Sequence, residues 1–118
     1  MKIYIHGGKK HHKDITQKVI EWCADFFGLS EKLKISVNLS ESRKDIDCWG
    51  ECDEGNNKHE YNIKIVYDQP LRDFMATITH EMVHVKQRET GEWEGDGEKE
   101  AEMFQYILAD QIWRKVKI

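Results

Sequence analysis

The clearest helical pattern in the chain, residues 71–89, is the feature that most constrains its fold. Apolar residues recur there at three- and four-residue steps and form one stripe: Leu71, Phe74, Met75, Ile78, Met82 and Val85. This spacing predicts a helix that turns one apolar face toward a core. The only proline of the chain, Pro70, comes directly before it, where the fixed φ of proline suits a first helical turn.

Shorter patterns predict the other elements. Strands are expected at four places, because apolar and polar residues alternate there or turn signals bound them: 2–6, 34–39, 47–53 and 59–67. The last two could form a hairpin around Gly55-Asn56-Asn57. Helices are expected at 14–27, 71–89 and 98–116. The order β-α-β-β-β-α-α predicts an α+β fold, with an N-terminal helix and a mixed sheet of three to four strands packed on the last two helices.

Size and charge restrict the class of protein. The 118 residues suit a single domain, residues 1–118, and the net charge of −4 argues against a nucleic-acid partner. No apolar run approaches the roughly 20 residues that span a bilayer, so no membrane partner is expected. The N-terminus lacks the apolar centre of a secretory signal, and three cysteines fit reduced thiols better than disulfides. We therefore expect a cytoplasmic protein.

Two histidines four residues apart, His80 and His84, lie on the side of the 71–89 helix that faces away from its apolar stripe. Their imidazoles can reach one metal ion, with Zn–N bonds of about 2.0–2.1 Å. Glu81 projects about 100° away from His80 and borders the same site. A carboxylate in that position can take a proton from water activated by the metal. The pattern predicts a zinc site with Glu81 as the general base.

A third protein ligand is needed, because catalytic zinc usually keeps three protein ligands and one water. The helix predicted at 98–116 offers three carboxylates near its start: Glu98, Glu100 and Glu102. Helical geometry places Glu98 and Glu102 on one face and Glu100 on the opposite side. If the first two serve the metal site, Glu100 points away from it.

Residues 60–105 resemble the zincin metallopeptidases, and within them the gluzincins. The resemblance depends on His80-Glu81-Met82-Val83-His84 and on the downstream segment Glu98-Lys99-Glu100-Ala101-Glu102. Many gluzincins and small phage-type relatives carry Glu-x-x-Ala followed by Asp or Asn. The resemblance implies that Glu98 is the third ligand and that Glu102 supports a ligand histidine, although a glutamate stands there in place of the usual Asp or Asn.

The resemblance implies a zinc-dependent peptidase with a zincin-like fold and one Zn²⁺ ion per chain, held by His80, His84 and Glu98. A peptide or protein is then the substrate, and the strand at 47–53 is the candidate for the rim strand that pairs with it. The alternative is a zinc-containing regulatory or binding module with weak or no proteolytic activity, because so short a chain has little room for a substrate-holding subdomain. The sequence indicates no oligomeric state.

Several other residues bear on the site. An oxyanion-stabilising donor is expected among four side chains: His59, Tyr61, Tyr67 and Tyr106. Trp93 lies in the predicted loop between the two helices that carry the candidate ligands, and it could line the substrate cleft. Cys48 and Cys52, with His59 nearby, permit a second metal site, although cysteine pairs in a hairpin are more often packing residues.

Overall fold

The computed structural model of the chain describes residues 1–43 and 48–116. Its elements follow the predicted order: β1 (Lys2–Gly7), α1 (Lys10–Phe26), β2 (Lys34–Ser40), β3 (Gly50–Glu54), β4 (Glu60–Val66), α2 (Leu71–Thr90) and α3 (Glu98–Val116). The α+β fold class is confirmed, with three helices and one four-stranded mixed sheet.

The sheet has the strand order β1-β2-β4-β3. β1, β2 and β4 are parallel, and β3 pairs antiparallel with β4 at one edge. Alternate residues of β2 and β4 are buried, so the sheet has one covered face and one open face. The covered face carries Ile35, Val37, Ile63 and Ile65, which share one apolar core with Val19 of α1 and with residues of α2.

The predicted hairpin is confirmed within the described residues. β3 pairs with β4 so that Gly50 lies opposite Ile65 and Cys52 lies opposite Ile63. Because side chains alternate along a strand, Gly50 and Cys52 face the helices, whereas Glu51 faces the open side and pairs with Lys64. Position 47 of the predicted segment lies outside the described residues.

α1 begins at Lys10, four residues before the predicted start at Asp14. The segment 10–13 is polar and basic, so apolar periodicity cannot detect this first turn. The Lys9 N–H donates to His12 Nδ1 at 3.0 Å, which satisfies a backbone donor that the new helix leaves without a partner.

α3 runs antiparallel to α2 and packs along it. Side chains join the two helices from end to end: Arg72 contacts Asp110, His80 contacts Gln105, and Lys86 contacts Glu100. The apolar contact uses buried residues of α3: Ala101, Leu108, Ala109 and Ile112. The polar face of α2 therefore lies between α3 and the edge strand β3.

Candidate metal centre

The central helix α2 holds both histidines of the motif in fixed positions. Ile78 and Met82, on its apolar side, are completely buried, and these contacts fix the rotation of the helix about its axis. His80 and His84 then face away from the core, with His80 half-buried and His84 9% exposed. The predicted opposition of an apolar face and a histidine face is confirmed.

Glu98 reaches the histidines from the start of α3. The connection is short: α2 ends at Thr90, Gly91 follows it with φ 72°, and another left-handed glycine, Gly97, directly precedes Glu98. Such positive φ values favour glycine, and they allow the chain to reverse within seven residues. Glu98 therefore begins its helix beside the C-terminal half of α2.

The carboxylate of Glu98 bridges the two imidazoles. Glu98 Oε2 lies 2.9 Å from His80 Nε2, and Glu98 Oε1 lies 2.8 Å from His84 Nε2. One ligand atom from each residue lies within 4.8 Å of the others. Tetrahedral zinc with bonds of about 2.0–2.1 Å places its ligand atoms about 3.3 Å apart, so this group needs only small side-chain shifts to hold an ion. His80, His84 and Glu98 therefore form a group that could bind a metal ion, and we call these three residues the metal group.

Gln87 determines which nitrogen of His84 is available to a metal. Its amide is 3% exposed, and Nε2 donates to the Gly97 carbonyl and to Glu100 Oε1, both at 2.9 Å. The amide oxygen is left to face His84 Nδ1 at 2.9 Å, so His84 donates through Nδ1–H. Its Nε2 lone pair is then directed at the metal group.

Gln105 supports His80 in the same way. Its Oε1 lies 2.6 Å from His80 Nδ1, which fixes the ring and leaves Nε2 toward Glu98. The prediction that Glu102 supports a ligand histidine is therefore wrong, because both Nδ1 atoms face glutamine amides. Glu102 is exposed and lines the cleft instead. Helical spacing could have indicated both glutamines, because Gln87 follows His84 by three residues and Gln105 follows Glu98 by seven, so each shares a helix face with a candidate ligand.

Glu100 points away from the histidines, as helical geometry predicted. Its carboxylate accepts hydrogen bonds from Gln87 Nε2 and from Lys86 Nζ. These hydrogen bonds, with that from Gln87 the larger cause, hold the pKa of Glu100 below its usual value. Glu100 therefore anchors Gln87 and acts on the metal group only indirectly.

The carboxylate of Glu81 is buried next to the metal group. The residue is 4% exposed, yet it borders the cleft, and its carboxylate has no hydrogen-bond partner among the described residues. Burial raises the pKa of Glu81 to about 7, against an opposing effect of His80. At neutral pH the group can therefore both accept and release a proton.

The metal group opens into a cleft of about 1030 Å³ between α2, α3 and the edge strand. On the strand side, the cleft is lined by Cys48, Trp49, Gly50, Glu51 and Cys52. The segment predicted as the rim strand therefore lies at the cleft. Trp93 is absent from the lining, so the prediction for that side chain is not met.

The outer edge of β3 has backbone groups that no other strand uses. The Val66 N–H donates to the Trp49 carbonyl at 2.9 Å. Because hydrogen-bonding positions alternate along an antiparallel pair, Trp49 and Glu51 bond to β4. Gly50 and Cys52 therefore direct their N–H and C=O groups outward, at the edge that borders the cleft.

Only Tyr106 of the four oxyanion candidates lines the cleft. His59 and Tyr61 both bond to Glu89, at 2.7 Å each, and Tyr67 packs against His12. The Tyr106 hydroxyl donates to Asp73 Oδ1 at 2.6 Å, and this hydrogen bond raises the pKa of the phenol. The structure thus reduces four candidates to one.

A second metal site at Cys48, Cys52 and His59 is not formed. Within residues 1–43 and 48–116, the group of His80, His84 and Glu98 is the only set of three or more potential ligands close enough to share an ion. His59 is instead paired with Glu89. Cys52 is half-buried and Cys48 is exposed.

Comparisons with protein-family models, with curated proteins and with solved structures found no match for this chain. In the part of the chain that the structure describes, no helix combines the length and apolar character of a membrane span. The functional argument therefore depends on the geometry of the site.

Proposed function

We propose that the chain is a zinc-dependent peptidase that hydrolyses peptide bonds. The observation that carries this proposal is the buried carboxylate of Glu81 directly beside a His-His-Glu group, in a cleft bordered by a free strand edge. Two imidazoles and one carboxylate form a donor set typical of catalytic zinc. The side chain is buried for most of its length, while its carboxylate borders the cleft, where a substrate or water can reach it.

His80, His84 and Glu98 would hold the ion, and Gln87 and Gln105 would orient the two imidazoles. A bound zinc ion supplies a Lewis acid that polarises a carbonyl and acidifies a water molecule. Glu81 accepts the proton from the attacking water and then delivers it to the leaving amine. Its place beside the three candidate ligands puts it within reach of a water molecule bound there.

The substrate is proposed to be a peptide or protein segment in extended conformation. The outward N–H groups of Gly50 and Cys52 and the Cys52 carbonyl can pair with such a segment, as in other cases of strand addition to a sheet edge. The Gly50 carbonyl already accepts a hydrogen bond from the Cys48 thiol at 2.9 Å, which a paired segment would displace or share. Pairing there places the segment in the same cleft as Glu81. Tyr106, on the α3 side, is the proposed donor to the oxygen that becomes negatively charged, and its hydroxyl must first release the hydrogen bond that it donates to Asp73.

A structural role for zinc in a regulatory or binding module is the second candidate. One observation favours it: His80 and His84 lie on α2 and Glu98 lies on α3, so a metal would also tie the two helices together. In that case the metal would contribute to folding stability without hydrolysis.

Elemental analysis and a cleavage assay test the proposal together. We expect protein purified without chelator to contain about one zinc per chain and to cleave casein, a disordered protein, in a chelator-sensitive manner. His80→Ala should lose both properties, because it removes one of three ligands. His6→Ala, at an exposed strand position, should lose neither.

Two results would count against the proposal. Zinc in the wild-type protein without cleavage at any protein concentration would favour the structural role. Protein that contains no zinc would contradict both candidate functions.

A further inference from the structure

The edge strand approaches α2 most closely at Gly50. A Cβ atom added there would lie 2.8 Å from Thr77 Cγ2, 2.9 Å from Glu81 Oε2 and 3.2 Å from Ile65 Cδ1. The first two distances are shorter than real Cβ contacts, so any side chain would force its neighbours to move. The backbone of Gly50 therefore forms part of the wall against which the Glu81 carboxylate rests.

The backbone conformation of Gly50 does not require glycine. Six glycines of the described residues have positive φ values, which explain them: Gly7, Gly8, Gly28, Gly91, Gly95 and Gly97. Gly50 is not among these and begins a regular strand. Glycine weakens a strand and in such a position often marks a close approach of the backbone to another group. Here those groups are the Thr77 methyl and the Glu81 carboxylate.

Packing alone holds this carboxylate. Among the described residues no hydrogen bond fixes its oxygens, so the shape of the surrounding wall decides where they lie. An alanine at position 50 would have to push Oε2 by about 0.5 Å to restore an ordinary contact distance of 3.4 Å. Displacements of this order matter for catalysis, since about 1 Å of misplacement can cost about a hundredfold in rate.

We infer that Gly50 is a positioning residue for Glu81: the missing side chain at this point of β3 sets the place of the carboxylate in the cleft. The catalytic consequence rests on the proposed function, whereas the packing consequence does not. The two consequences can therefore be tested separately.

The packing consequence is tested by a double-mutant cycle on thermal stability. Gly50→Ala should lower the melting temperature of the wild-type protein by about 4 °C or more beyond its effect in the Glu81→Ala background, because the shorter side chain removes the contact with Oε2. Equal effects in the two backgrounds would overturn the inference. If Gly50→Ala alone does not fold, the cycle is repeated with Thr77→Ser, which removes the methyl group 2.8 Å from the added Cβ; recovery of folding by Glu81→Ala then supports the inference, and no recovery overturns it.

The catalytic consequence is tested by kinetics and zinc affinity. Gly50→Ala should lower kcat about 10- to 100-fold with KM changed by less than about threefold, and zinc affinity in competition with a chromophoric chelator should stay the same. The double variant Gly50→Ala/Glu81→Asp should be no slower than Glu81→Asp alone, because the shorter acid already leaves room. Unchanged kcat, or effects that multiply, would overturn the inference.

Gly55→Ala is the matched control. Gly55 directly follows the edge strand and, like Gly50, lacks a positive φ; the three atoms nearest its added Cβ all belong to the side chain of Glu60, which does not line the cleft. This variant should keep kcat within about twofold. If the wild-type protein cleaves no peptide, the proposed function fails, and the stability cycle alone then decides whether Gly50 positions Glu81.

Discussion

Two glutamines, Gln87 and Gln105, orient the candidate ligands, and a motif search does not find them. The His-Glu-x-x-His pattern predicts ligands because imidazoles one turn apart share a helix face. It contains no information about what the other nitrogen of each ring meets. Gln105 comes from a different helix, so its contact with His80 depends on how α2 and α3 pack. The resemblance to the gluzincins implied this role for Glu102 instead, which has suitable chemistry but lines the cleft.

Removing the Gln87 amide should weaken metal binding without removing a ligand. In Gln87→Ala, His84 loses the acceptor that fixes its tautomer, so we expect zinc affinity to fall about 10- to 100-fold in a chelator competition assay. Gln17→Ala, which removes an exposed amide on α1, is the control. An unchanged affinity in Gln87→Ala would show that the hydrogen bond to His84 does not matter.

The buried Glu81 carboxyl should make the stability of the metal-free protein depend on pH. Burial raises its pKa from 4.5 to about 7, so the folded state binds the proton more tightly than the unfolded state. This tighter binding stabilises the folded state by up to about 3 kcal/mol. The contribution is fully present below about pH 4.5 and is lost as pH rises through 7.

Urea unfolding of the metal-free protein, prepared with chelator, between pH 5 and pH 8 tests whether its stability decreases as pH rises. The free energy of unfolding of wild-type protein relative to Glu81→Gln should decrease as pH rises, because the amide does not titrate. A difference that stays constant, or increases, would show that Glu81 is not desolvated as described.

At the scale of elements, local patterns predicted most of the fold. All seven helices and strands in the described part of the chain were predicted, and the predicted end of α2 lies within one residue of its observed end. The start of α1 was missed because residues 10–13 contain no apolar position, and helix formation there depends on His12 accepting a backbone hydrogen bond. The short turn between α2 and α3 was predictable from Gly91 and Gly97, whose positive φ values it requires.

Because the candidate ligands join α2 and α3, metal loading should stabilise the start of α3. We expect amide hydrogen exchange in residues 98–105 to become about tenfold faster when zinc is removed by chelator, whereas exchange in α1 should not change. Mass spectrometry of deuterated peptides measures both regions in one experiment. Equal exchange with and without zinc would mean that no metal links the two helices.

At the scale of the whole molecule, the arrangement of the strands could not be predicted from local patterns. Alternation identified each strand, but the order β1-β2-β4-β3 depends on long-range pairing that periodicity does not encode. The same order leaves β3 at the edge, directly across the cleft from the histidines. This arrangement is the main support for the peptidase hypothesis, because the metal group, Glu81 and the edge of β3 surround one cavity.

The most direct test of the account is a paired measurement of zinc content and peptide hydrolysis in Glu81→Gln. We predict about one zinc per chain, as in the wild-type protein, and a rate at least about a hundredfold lower, because the ligands remain while the general base is lost. Glu94→Gln, in the loop before α3, should match the wild-type protein in both respects. A Glu81→Gln protein that hydrolyses peptides at the wild-type rate would contradict the account.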